Sequence, residues 1–139
     1  MNATRASCYI GAAAFAACIL CSCLKPATPE SEFNELFTNL SVGVPKYQIL
    51  HDFSRPDDAI KGDFCTADFI QSESQFNEFV AHLGVSRESI LSSNSVSVRA
   101  DSKLDPKYPW TLHVQAHSSN SSTNSYEVHI EGVQAYNQP

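Results

Sequence analysis

The chain has 139 residues and 15.2 kDa, with 15 Asp and Glu against nine Lys and Arg, a net charge of −6. That length supports one hydrophobic core, while two would each be small to stand alone. The acidic balance excludes a nucleic-acid binder working through a basic face and a polybasic membrane patch, and 10% aromatic content excludes a wholly disordered chain.

Met1 to Ser7 carries one Arg and no acid, and Cys8 to Leu20 is a thirteen-residue run without a charge. A bilayer-spanning helix needs about 20 apolar residues. The shorter run fits the apolar region of an export signal. It ends in Leu20-Cys21-Ser22-Cys23, which resembles the lipobox of bacterial lipoproteins, with Leu three positions before a Cys and a small residue just before it. The resemblance implies a diacylglyceryl group on Cys23 and cleavage immediately before it. It also implies membrane attachment through that lipid in the bacterial cell envelope, facing the periplasm, with the outer membrane favoured over the inner. The chain then divides into a signal peptide at 1–22, a lipid-anchored tether at 23–31 and a single domain at 32–139. The other readings are an ordinary signal cut near Ser22 to Leu24 and a retained anchor. Of five cysteines, Cys8, Cys18 and Cys21 leave with the signal. A lipidated Cys23 leaves Cys65 as the remaining thiol; an unmodified Cys23 could pair with it. Asp63 and Asp68 flank Cys65, so a buried, inert thiol is expected.

Thr28-Pro29 reads as an N-cap followed by Pro at the first helical position. Phe33, Leu36, Phe37 and Leu40 then share one helical stripe, and Gly43 and Pro45 end the helix. Tyr47, Ile49 and His51 alternate with Gln48, Leu50 and Asp52 in a first strand. Ser54 to Asp58 is a turn, and Gly62 to Ile70 is a second strand. Ser72 and Gln75 form a capping box. Phe76, Phe79, Val80 and Leu83 have helical spacing, Gly84 suits the C-terminal cap, and Ser86 to Leu91 adds a turn of helix.

The remainder alternates with period two. Val96, Val98 and Ala100 oppose Ser97 and Arg99. Leu112, Val114 and Ala116 oppose His113, Gln115 and His117. Tyr126, Val128 and Ile130 oppose Glu127, His129 and Glu131. Three such segments predict an antiparallel sheet with one buried and one wet face. The expected class is α+β, about five strands with two short helices packed on one face. Ser118 to Ser125 is a polar hairpin loop.

Four features bear on chemistry. His113, His117 and His129 share the wet face, and the hairpin register places His129 opposite His113 or Gln115. Such a face suits a metal- or small-ligand-binding periplasmic module. However, His113 and His117 stand about 13 Å apart along an extended strand, so no metal or other cofactor is expected. The carboxylates Asp52, Asp57, Asp58, Asp63 and Asp68 lack the spacing of a calcium loop or a fixed catalytic pair. There is no Gly-x-Ser-x-Gly elbow, and with five glycines no phosphate loop, so the chain is not read as an enzyme. The fourth feature is the loop from Asp101 to Trp110. Its prolines pre-order it, and Tyr108 and Trp110 are anchor residue types. Lys103 and Lys107 form a local positive spot suited to an acidic partner. These four residues are the expected partner-binding site, competing with a reading in which Trp110 caps the core.

From Asp63 to Tyr136, a strand, the helix Ser72-x-x-Gln75-Phe76-x-x-Phe79 and three antiparallel strands resemble small bacterial lipoproteins of the PrcB type. The Thr-Gly-Gly-Tyr turn of that family is missing, and no residues are carried over from it. The resemblance implies a regulator or inhibitor of other envelope proteins. The expectation is therefore a non-catalytic, lipid-anchored protein that binds another envelope or periplasmic protein, as an immunity, inhibitor or accessory lipoprotein.

Overall fold

The computed structural model describes residues 26–56, 63–119 and 124–134. The expected signal peptide with Cys23, the turn at Asp57 and Asp58 and the middle of the Ser/Asn loop lie outside the described residues. In chain order the elements are α1 (Pro29–Thr38), β1 (Ile49–Ser54), β2 (Asp63–Ser72), α2 (Glu73–Leu83), α3 (Arg87–Ser92), β3 (Val96–Ala100), β4 (Trp110–Ser119) and β5 (Ser125–Gln134). The strands form one antiparallel sheet in the order β1-β2-β5-β4-β3. The buried apolar residues of all three helices enter one core with the inward residues of the sheet. This is an α+β fold.

Helix α1 begins where its cap chemistry puts it. The Thr28 hydroxyl accepts the Ser31 N–H at 3.2 Å, and the Ser31 hydroxyl accepts the Thr28 N–H at 2.9 Å. Pro29 follows with its fixed φ. The last three residues of the expected tether therefore belong to the helix. The helix also stops earlier than Gly43: the Asn39 N–H closes onto the carbonyls of Leu36 and Phe37. Leu40 continues the apolar stripe beyond the helix and is buried, with a β-bridge to Ser102. Gly43 serves the next turn, at φ 71°.

Strand β1 departs from simple alternation. Leu50 and Phe53 face the core, three residues apart, while Ile49 and His51 are exposed. A regular strand cannot turn residues an odd number apart to one face. A bulge between Leu50 and Asp52 supplies the extra residue and leaves His51 without a cross-strand partner. The remaining strands alternate, β3, β4 and β5 as expected. Cys65, Ala67, Phe69 and Gln71 point inward from β2, and Tyr126, Val128 and Ile130 from β5.

Helix α2 carries its full capping box, with Ser72 Oγ accepting from the Gln75 N–H and Gln75 Oε1 from the Ser72 N–H, and Gly84 closes it at φ 69°. Helix α3 is only six residues long and needs tertiary support. Ile90 is fully buried. The guanidinium of Arg87 lies over the stacked rings of Phe76 and Tyr126, whose centroids are 4.3 Å apart. It donates to Glu73 Oε1, Asn77 Oδ1 and the Tyr126 hydroxyl. One cation thus ties α3 to α2 and β5.

Candidate functional site

The cross-strand row Asp63–Gln134–Trp110–Ala100 forms one end of the sheet. The second half of α1 and the loop 101–109 stand beside that row. Together they enclose a cleft of about 180 Å³, lined by Glu35, Leu36, Asn39, Leu40, Arg55, Asp63, Ser102, Leu104, Asp105, Trp110 and Gln134. Much of the loop expected to carry the partner site is thus one wall of this cleft.

The loop is held at both ends. Lys103 N–H donates to the Asn39 carbonyl at 2.8 Å, Asp101 N–H to Ser41 Oγ at 2.9 Å, and Ser41 N–H to the Asp101 carbonyl at 2.9 Å. Within it, Ser102 Oγ accepts the Asp105 N–H at 3.1 Å, and Tyr108 N–H closes a turn onto the Asp105 carbonyl. The buried Gln134 amide donates to the Tyr108 carbonyl. A loop this firmly bonded loses little entropy on binding.

The four residues expected at the partner site have separate fates. Lys107 is exposed and Tyr108 half-buried. Lys103 is exposed along its stem, but its ammonium donates to the Thr38 carbonyl at 2.8 Å. It neutralises the C-terminal end of α1 rather than standing free. Trp110 is 2% exposed, so it is a core residue and no projecting anchor for a partner, though its edge lines the cleft. Its position explains this: Trp110 shares the inward parity of Leu112, Val114 and Ala116. Arg55 lies over its ring, 5.9 Å from the centroid, and is held by Asp63 at 3.1 Å. The residue that sequence reasoning missed is Leu104, 77% exposed. Its signal was an apolar side chain between Lys103 and Asp105 with no periodic apolar neighbour.

The opposite face of the sheet has no helix packed on it among the described residues and carries the histidines. Of the two expected registers, the hairpin adopts the one that sets His129 opposite Gln115 and His113 opposite Glu131. His113 Nδ1 hydrogen-bonds Ser97 Oγ at 2.9 Å, and His129 Nδ1 hydrogen-bonds Asp68 Oδ1 at 2.6 Å. His113 and His129 therefore serve different neighbours, and His117 stands opposite Glu127. Among the described residues no group of three His, Cys, Asp or Glu side chains could hold a metal ion. The bulge in β1 sets Asp52 directly opposite Asp68, a like-charge pair that costs stability. His129 stands on the other side of Asp68, with Nε2 3.6 Å from Glu131 Oε1.

Partial burial lowers the His129 pKa, but the hydrogen bond and charge of Asp68, with Glu131 behind them, outweigh it and raise the group above its usual value. A raised folded-state pKa adds stability that is complete below the unfolded value of about 6.5 and is lost as pH rises through the folded value. His129→Gln is thus expected to be destabilising at pH 5.5 by up to about 1 kcal/mol, because the pair is partly solvated, and close to neutral at pH 8.5. Urea melts of both proteins at the two pH values check this; an equal difference at both would contradict it.

Cys65 is fully buried, and burial pushes its thiol up to about 12 despite the backbone hydrogen bond from Gly132. It is protonated at neutral pH and is no nucleophile. No family model matches this chain, and no curated protein or solved structure matches it.

Proposed function

We propose that the chain is a lipid-anchored protein of the bacterial cell envelope that binds another protein without catalysis, in an immunity, inhibitor or accessory role. The observation that carries the binding reading is the loop 101–109. It is pinned at both ends, presents Leu104 and Lys107 to solvent, and borders a cleft. An exposed apolar side chain on a pre-ordered loop has a low entropy cost of capture, which is how interface anchors work. The lipid reading rests on the Leu20-Cys21-Ser22-Cys23 run. The attached acyl chains would make the anchor firm, since one chain alone binds only marginally.

Two experiments test this in order. Cys23→Ala is expected to abolish incorporation of a tagged palmitate and leave an unprocessed precursor; equal label on both proteins would remove the lipid reading. The tagged mature chain is then used to capture partners from envelope extracts. Leu104→Asp, Tyr108→Ala and Lys107→Glu should each leave melting unchanged and reduce capture of the same protein by about tenfold, the effect of losing about 1.4 kcal/mol. Capture indifferent to all three would remove the loop as the site.

A further inference from the structure

Resting on that reading, we infer that the cleft beside the loop receives a cationic side chain, an Arg or Lys projecting from the partner protein. Its lining combines apolar surface from Leu36, Leu40, Leu104 and Trp110 with the carboxylates of Glu35, Asp63 and Asp105. Among the described lining residues Arg55 is the single cation, and Asp63 already holds it at 3.1 Å. Among the described residues the carboxylates of Glu35 and Asp105 have no hydrogen-bond partner. The acidic excess therefore falls on those two.

The end of α1 shows that this edge of the cleft already draws a cation. The lining residues Glu35, Leu36, Asn39 and Leu40 come from the last turn of that helix and the residues just after it, where the backbone dipole leaves negative charge. Lys103 already shows the preference, with its ammonium on the Thr38 carbonyl. The tryptophan does too: Arg55 has taken a position over its ring. An entering Arg or Lys would lay its methylene stem along the leucines and bring its head to Glu35 and Asp105. Long basic side chains satisfy apolar and charged surroundings together in this way. A carboxylate would instead meet two uncompensated acids.

Trp110 is the one tryptophan in the chain and lines the cleft, so its fluorescence reports occupancy. The intact mature protein is titrated with N-acetyl-arginine amide, the citrulline analogue, which has the same shape without the charge, and N-acetyl-glutamate amide. A saturable millimolar change with the arginine compound alone is expected. In the Glu35→Gln, Asp105→Asn double variant, both sites being at least partly exposed, melting should be unchanged and the midpoint should rise about tenfold. No saturable response overturns the inference. So does an equal response to citrulline or glutamate, or an unaltered midpoint in the double variant. Loop-dependent partner capture beside an unresponsive cleft removes this inference and leaves protein binding standing. An arginine-responsive cleft without loop-dependent capture keeps the inference and removes the loop as the capture site.

Discussion

Phe33→Ala is expected to leave the domain largely unfolded at physiological temperature. Phe33 is fully buried, and its ring lies 4.6 Å from Phe37, 5.5 Å from Tyr47, 5.6 Å from Phe53 and 5.7 Å from Phe69, centroid to centroid. Those neighbours belong to α1, the approach to β1, β1 itself and β2. One ring therefore fastens the helix to the edge half of the sheet. Truncating a buried Phe costs about 3–5 kcal/mol, against a total of about 5–15 kcal/mol for a domain. At about 4–8 °C per kcal/mol for a domain near this size, melting should fall by at least about 12 °C. Phe33→Leu keeps most of the volume and should cost less than half as much. Thermal melts followed by circular dichroism decide the matter. A loss of under 5 °C in the alanine variant would show that α1 is not held through this ring.

Gly132→Ala should be strongly destabilising for a different reason, overpacking. A Cβ there would stand 2.6 Å from Cys65 Sγ, 3.1 Å from Leu112 Cδ2 and 3.1 Å from Trp110 Cε3. Cys65 is fully buried in the middle strand pairing and has nowhere easy to turn. Overpacking a formed core costs about 1–3 kcal/mol. Removing the sulfur with Cys65→Ala opens the space the new methyl needs. The double variant should therefore be more stable than the sum of the two single losses allows, with a coupling of about 1–2 kcal/mol. Additive losses in denaturant melts would place the strain elsewhere.

Periodicity made most of this fold readable. The Ser72–Gln75 cap, the stripe from Phe33 to Leu40 and the alternation in β3, β4 and β5 are local signals, and each is what the chain forms. The bulge in β1 was not readable, because an edge strand with one residue out of step looks like weak alternation. Sheet order was hidden as well: the polypeptide runs from β2 through two helices to the far edge, and no short-range pattern encodes that crossing. Trp110 illustrates a signal misjudged rather than missing. Its chemistry suits an interface, but counting back from Leu112 in twos puts it on the buried face. The cleft was beyond reach because its lining comes from residues 35–40, 55, 63, 102–110 and 134, segments that only the tertiary fold brings together.

The sheet order has a consequence for how the chain becomes a domain. Strand β5 is the last of the described strands in sequence, yet it sits in the centre, paired over its full length with β2 on one side and β4 on the other. Until it arrives, β1 with β2 and β3 with β4 are two separate ribbons, and two-stranded ribbons are marginal in water. A nascent chain therefore cannot complete its core gradually from the N-terminal side. It stays open, with the β2 and β4 edges bare, until Ser125 to Gln134 can insert between them. Closure then joins residues more than sixty positions apart, such as Cys65 and Gly132, which makes a late, slow and all-or-none step.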